Sequence, residues 1–119
     1  MAGLIFTLLQ PARAAELLML EQEGCEWCER WHAEIGPIYP KTDESKLAPL
    51  RLVDIHEEWP DDLANVRKEH FTPTFVLVDN GLEYGRIRGY PGDEFFWGLL
   101  AEMIKKLPAT SDANDRPNG

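Results

Sequence analysis

The only two cysteines of this chain stand three positions apart, in Cys25-Glu26-Trp27-Cys28, after an apolar run and at the head of a helical pattern. Two thiols at i and i+3 can close a disulfide when the first caps a helix and the second lies one turn in. Their Cα atoms then fall within the roughly 4.4–6.8 Å that the bond tolerates. A helix start also favours a thiolate, through its partial positive charge and unpaired N–H groups. A bridge between such near neighbours closes a tiny loop and adds little global stability. A chain of 119 residues, 44% hydrophobic, can bury a core without a staple. The pair therefore reads as a reactive dithiol, and the rest of the chain must supply its scaffold.

The length suits one domain. A formal net charge of −9 argues against nucleic acid, which needs clustered Lys and Arg, and against docking on anionic lipid. Its ordinary consequence is solubility. Residues 3–9 form a short apolar run, and Ala12-Arg13-Ala14 has the small-x-small form of a signal-peptidase site. The run is too short for a membrane span, which takes about 20 residues. Residues 1–14 read as the remnant of a secretory signal peptide, cleaved after Ala14, or alternatively as an extra strand or a disordered arm. The first reading places the protein in an oxidising compartment, the periplasm. Residues 15–107 form the domain, and residues 108–119, without a large apolar side chain, read as a disordered tail.

Within the domain, Leu17-Leu18-Met19-Leu20 suits a strand buried on both faces. A helix follows from Glu26, with Trp27, Trp31 and Ile35 as its apolar stripe, until Gly36-Pro37 interrupts it. Residues 41–49 are polar and read as a loop or a loose helical turn. A second strand spans 50–55. Trp59-Pro60-Asp61-Asp62 opens a second helix to about His70, with Leu63, Val66 and His70 inward. Phe75-Val76-Leu77-Val78 is the third strand, and Asn80-Gly81 turns it into an antiparallel fourth over 82–88. The last helix runs from Asp93 to about Leu107, with Phe96, Leu99, Leu100, Met103, Ile104 and Leu107 on its core face. The order β-α-β-α-β-β-α predicts an α/β domain: a mixed four-stranded sheet flanked by helices on both faces.

This order, a Cys-x-x-Cys after the first strand and Thr72-Pro73-Thr74 before the hairpin resemble the thioredoxin fold. Gly81 follows Pro73 by eight residues and Gly89 follows by eight more, as in thioredoxins. The resemblance implies a cis Pro73 facing the dithiol and a Thr72 backbone that pairs with an extended substrate. It also implies a Gly89 wall that lets the substrate approach. A trans strand-entry proline and a plain strand-breaking glycine are the alternatives. The chain departs from thioredoxin proper: Glu26-Trp27 stands between the cysteines in place of Gly-Pro, Gly24 precedes them in place of Trp, and Met19 replaces a buried Asp. With the longer connection over 36–49, these features look most like the thioredoxin-like proteins of bacterial sulfur-oxidation (Sox) systems, the SoxS type.

The resemblance implies a thiol–disulfide oxidoreductase that needs no cofactor beyond its own Cys25–Cys28 disulfide, with Cys25 as attacker and Cys28 as resolver. It implies a monomer that reduces or protects the reactive cysteine of a SoxY-type sulfur carrier. A membrane thiol–disulfide transporter of the CcdA kind would supply electrons. Glu23, Glu26 and Glu29 disfavour a thiolate and lean towards a reductant, unless they are only a solvated helix face. Trp27 either contacts a partner or packs on Trp31 or the hairpin; Trp59 and Tyr90 either rim the same surface or serve the core. A disulfide-forming oxidant is one alternative. A non-catalytic zinc-binding module is another, through His32 with His56, His70 or an acid. Glu29 after Cys28 excludes a c-type haem site.

Overall fold

Buried apolar runs and one tight turn build the sheet that carries the dithiol. The computed structural model describes residues 15–108. In chain order these form β1 (Ala15–Glu21), α1 (Glu26–Glu34), a 3-10 turn (Tyr39–Lys41), α2 (Asp43–Leu47), β2 (Leu50–Asp54), a second 3-10 turn (Asp61–Leu63), β3 (Thr74–Asp79), β4 (Leu82–Arg88) and α3 (Asp93–Ile104). The sheet order is β2-β1-β3-β4, with β2 parallel to β1 and the other neighbours antiparallel. This is the mixed four-stranded α/β sheet expected. The readings of residues 1–14 and of the tail beyond Pro108 lie outside the described residues.

Alternation along β1 and β3 explains why both runs are apolar throughout. Leu17, Met19, Phe75 and Leu77 face a cluster with Trp31, Ile35, Tyr39, Phe96 and Leu100. Leu18, Leu20, Val76 and Val78 face the other side, against Val53, Leu63 and Val66. On the first side the aromatic rings interlock: Trp31 and Phe75 have centroids 5.3 Å apart, and Phe75 and Phe96 5.0 Å. Asn80 (φ 58°) and Gly81 (φ 78°) make the two-residue turn that fixes β4 on β3.

Three expectations need correction. Trp27 is 51% exposed, and the buried stripe is Cys28 and Trp31 of α1 with Ile35 at its C-cap. Cys28 behaves as a small apolar residue and takes the place given to Trp27. The connection between β2 and β3 is not a helix to His70 but the single turn Asp61–Leu63 followed by irregular chain. It buries Leu63 and Val66 while His70 is exposed. Two apolar anchors three apart, Leu63 and Val66, with Asn65 and the β-branched Val66 both weak helix formers, are too little to hold a longer helix. Helices therefore cover one face, and this irregular segment much of the other. On α3, Phe96, Leu100 and Met103 are buried, but Leu99 is 43% exposed, at the margin of the stripe.

Candidate active site

The turn at Glu23-Gly24 delivers Cys25 to the N-cap of α1, where its extended backbone (φ −88°, ψ 104°) stops short of the helix. Gly24 takes φ +77°, a conformation that favours glycine. Cys25 Sγ accepts a hydrogen bond from the Cys28 N–H at 3.1 Å. Cys28, one turn in, is 3% exposed, and a disulfide joins the two, with Cα atoms 5.2 Å apart. Cys25 is half-buried, so the N-terminal sulfur is the more accessible one.

The chain returns to this sulfur from β3. The Thr72 hydroxyl donates to Cys25 Sγ at 3.3 Å, and the Thr72–Pro73 peptide bond is cis. The Gly89 N–H donates to the Pro73 carbonyl at 2.7 Å and ties the end of β4 to the same loop. Trp27, Phe71, Thr72, Pro73, Arg88, Gly89, Tyr90 and Pro91 line an open cleft of about 230 Å³ beside the dithiol. All four residues expected to contact substrate, Trp27, Thr72, Pro73 and Gly89, are therefore brought together. Arg30 stacks over the exposed Trp27 ring, 4.8 Å from its centroid, and Arg88 over Phe71 at 4.9 Å.

Tyr90 and Trp59 separate. Tyr90 reaches the cleft from a buried position and donates its O–H to Glu34 Oε1 at 2.6 Å. Burial, with that hydrogen bond, pushes its phenol above the ordinary range. Trp59 lies on the opposite face of the sheet, against the Leu63 and Val66 cluster, and donates to the Leu63 carbonyl at 2.8 Å. Behind the cleft, the Arg88 guanidinium holds the Glu69 carboxyl below the usual carboxylate range.

Beneath Cys28 the environment is apolar. Met19 is fully buried in the same cluster, where it contributes about 1.5–3 kcal/mol of hydrophobic stabilisation. Among the described residues the only buried polar or charged side chains are Thr74 and Asp79. Glu23, Glu26 and Glu29 are exposed, so water screens their charge from Cys25. His32 pairs with Glu21 at 2.9 Å, and His56 with Gln22 at 2.8 Å. Among the described residues no group of three or more His, Cys, Asp or Glu is placed to hold a metal ion. The Gln22 and Thr72 side chains at Cys25 escaped sequence reasoning. Proximity of Gln22 to the cysteines was the only available signal.

A partly buried but accessible sulfur bonded to a buried one at a helix start, beside an open cleft, is equipped for thiol–disulfide exchange. Carried on a β2-β1-β3-β4 sheet, it defines the class of thioredoxin-fold dithiol proteins. Neither a protein-family model nor a curated protein matches the sequence. Among solved structures, the chain is similar to the periplasmic thioredoxin SoxS from Paracoccus pantotrophus in its reduced form. Identity is 47% over 78% of this chain and 98% of that one, with a TM-score of 0.73. A thioredoxin-fold protein from Helicobacter pylori (24% identity, 76% of this chain and 68% of that one, TM-score 0.60) shares the fold. So does thioredoxin-2 of the malaria parasite (17%, 79% and 87%, TM-score 0.58). The chain belongs to the thioredoxin-like family, and it is a thiol–disulfide oxidoreductase.

Proposed function

We propose that the protein reduces, and so protects, the reactive cysteine of a periplasmic sulfur-carrier protein of the SoxY type. The observation that carries the direction of attack is the contrast between the two sulfurs. Cys25 Sγ is half-buried and receives an N–H and a hydroxyl, while Cys28 is 3% exposed. The Cys25 thiolate attacks a sulfur of the partner disulfide; one S–S bond forms as the other breaks, and the leaving thiolate takes a proton from solvent. Cys28, having given up its proton, attacks Cys25 Sγ. The partner's second sulfur leaves as a thiolate, and the Cys25–Cys28 disulfide closes. Two electrons have passed to the partner, and two must return from a donor, for which a membrane transporter of the CcdA kind fits the resemblance.

Trp27, Thr72, Pro73 and Gly89 form the contact surface for the partner, the Thr72 backbone pairing with an extended segment as it enters the cleft. The likeness to a periplasmic thioredoxin supports export. Residues 1–14 then act in export; cleavage after Ala14 leaves β1 whole from Ala15. The domain of 15–107, followed by its tail, acts as a monomer and needs no cofactor. Among the described residues no helix is long and apolar enough to cross a membrane.

The test is capture. In a Cys28→Ser variant, Cys25 attacks but nothing resolves it, so a mixed disulfide with a sulfur-carrier protein accumulates in periplasmic extract and disappears with dithiothreitol. Absence of any Cys25-dependent adduct would sink the proposal. A disulfide-forming oxidant is the second reading, favoured by the two donors at Cys25 Sγ, because stabilising a thiolate raises the reduction potential. A measured potential near about −120 mV would decide for it, and one near or below about −200 mV for the reductant.

A further inference from the structure

The Thr72 hydroxyl has one proton, and something must direct it at Cys25 Sγ. The parallel pairing of β1 with β2 brings Glu21 level with Asp54, and the Ile55 N–H donates to the Glu21 carbonyl at 3.0 Å. The first residues beyond the two strands therefore lie side by side. His56 is pinned there by its own N–H, which donates to Asp54 Oδ1 at 2.8 Å. Its Nε2 meets Gln22 Oε1 at 2.8 Å, the Gln22 amide Nε2 donates to Thr72 Oγ1 at 2.8 Å, and Thr72 Oγ1 donates to Cys25 Sγ at 3.3 Å.

We infer that Gln22, oriented by His56, is a positioning residue for the dithiol: it fixes the Thr72 hydroxyl so that its proton points at Cys25 Sγ. The amide orientation gives the direction: Gln22 Nε2 faces Thr72 Oγ1 and Oε1 faces His56 Nε2. An amide oxygen only accepts, so in this arrangement His56 presents Nε2–H to Gln22 Oε1. The amide NH₂ occupies a lone pair of the Thr72 hydroxyl. The single hydroxyl proton is left for the sulfur. Were the amide reversed, Oε1 would accept the Thr72 proton and Cys25 Sγ would lose this donor. In the disulfide the bond is weak, since sulfur is a poor acceptor; on the thiolate it becomes charge-assisted. The chain therefore favours the reduced, ionised form of Cys25 over both the thiol and the disulfide. It draws no carboxylate near the sulfur, unlike the buried Asp that Met19 replaces. The inference rests on Cys25 being the attacking sulfur.

The experiment measures the thiolate pKa of Cys25 in the reduced protein, from its absorbance at 240 nm against pH and from iodoacetamide alkylation rates. Mass spectrometry identifies which cysteine is alkylated. Thr72→Val removes the donor and is expected to raise the pKa by about one unit. Gln22→Leu frees the hydroxyl to rotate and raises it by about half a unit, slowing alkylation about threefold below the pKa. In the Thr72→Val background, Gln22→Leu is expected to change nothing further. His56→Ala, which lets the amide reverse, falls between parent and Gln22→Leu, again only while Thr72 is present. Gln22→Glu, close in size to the parent, accepts the hydroxyl proton and shifts the pKa upward more than Gln22→Leu. That excess also vanishes in part with Thr72→Val, leaving only the effect of the added charge. An equal shift from Gln22→Leu in both backgrounds, or none with Thr72 present, overturns the inference. Alkylation at Cys28 first in the parent would instead overturn the assignment of the attacker. The two failures are thus distinct.

Discussion

Gly89→Ala separates the backbone demand of the cleft wall from its role in admitting a partner. Gly89 holds φ +95°, a region that a side chain makes costly by about 1–2 kcal/mol. The added Cβ would lie 3.3 Å from Phe71 Cε2, closer than comfortable packing. Phe71 is half-exposed and can swing aside, so this contact adds little to the stability cost. The methyl group nevertheless enters the cleft that Gly89 and Phe71 line. The backbone term alone predicts a loss of about 1–2 kcal/mol, or roughly 5–15 °C in Tm for a domain of this size. Gly92 is the control: it has φ +104°, but a Cβ there meets nothing within 4 Å. Gly92→Ala is expected to cost similar stability without narrowing the cleft. Urea denaturation followed by Trp fluorescence reads the first effect. Turnover of a protein disulfide, compared with iodoacetamide alkylation of reduced Cys25, reads the second. Gly89→Ala should raise KM severalfold with alkylation nearly unchanged, and Gly92→Ala should leave both alone. A Gly89→Ala protein with parental stability would refute the backbone argument. Equal KM values for the two variants would refute the cleft as the partner's path.

Tyr90→Phe removes the O–H donated, in a partly buried hydrogen bond, to Glu34 and is expected to cost about 0.5–1.5 kcal/mol near pH 7. Tyr90 stays neutral in the fold to higher pH than in the unfolded chain, so the parent loses this advantage as pH rises above about 10. The gap between the two proteins in urea titrations should narrow there; a constant gap would contradict the assignment. Glu69 takes two hydrogen bonds from Arg88 and one from Arg86. Its depressed pKa contributes stability above the unfolded value of about 4.3, lost as pH falls through the folded value. Glu69→Gln should cost about 1–2 kcal/mol at pH 7 and progressively less below pH 4, and a difference that grows in acid would exclude this account.

The apolar runs of β1 and β3 were legible because alternation buries both faces, so hydrophobicity alone marks central strands. The dithiol and the Asn80-Gly81 turn were legible because each depends on local chemistry at fixed offsets, whereas the spacing of Pro73 and Gly89 acquired meaning only through the resemblance to thioredoxins. Helix phase was less legible. Spacing by four puts Trp27 in line with Trp31 and Ile35, but the inward position of a helix also depends on where the helix starts. Capping by Cys25 settles the phase, turning Cys28 under the sheet-facing core and Trp27 out towards the cleft.

The 59–70 segment shows the same limit. Its proline and aspartates are good helix-start chemistry, yet the face it covers needs only Leu63 and Val66, and no further apolar anchor extends the turn. By itself, then, the sequence determined the order of elements and the closely spaced pair of thiols, which rest on composition, turns and spacing, while the roles of Thr72, Pro73 and Gly89 came through the resemblance to thioredoxins. Only the tertiary structure decided what surrounds the sulfur. Gln22, His56 and Thr72 come from three connections 34 and 50 residues apart, pairwise with Gln22, and meet because β2 lies parallel to β1 while β3 runs antiparallel beside it. Hydrogen bonds across such distances depend on strand register, which no local pattern encodes.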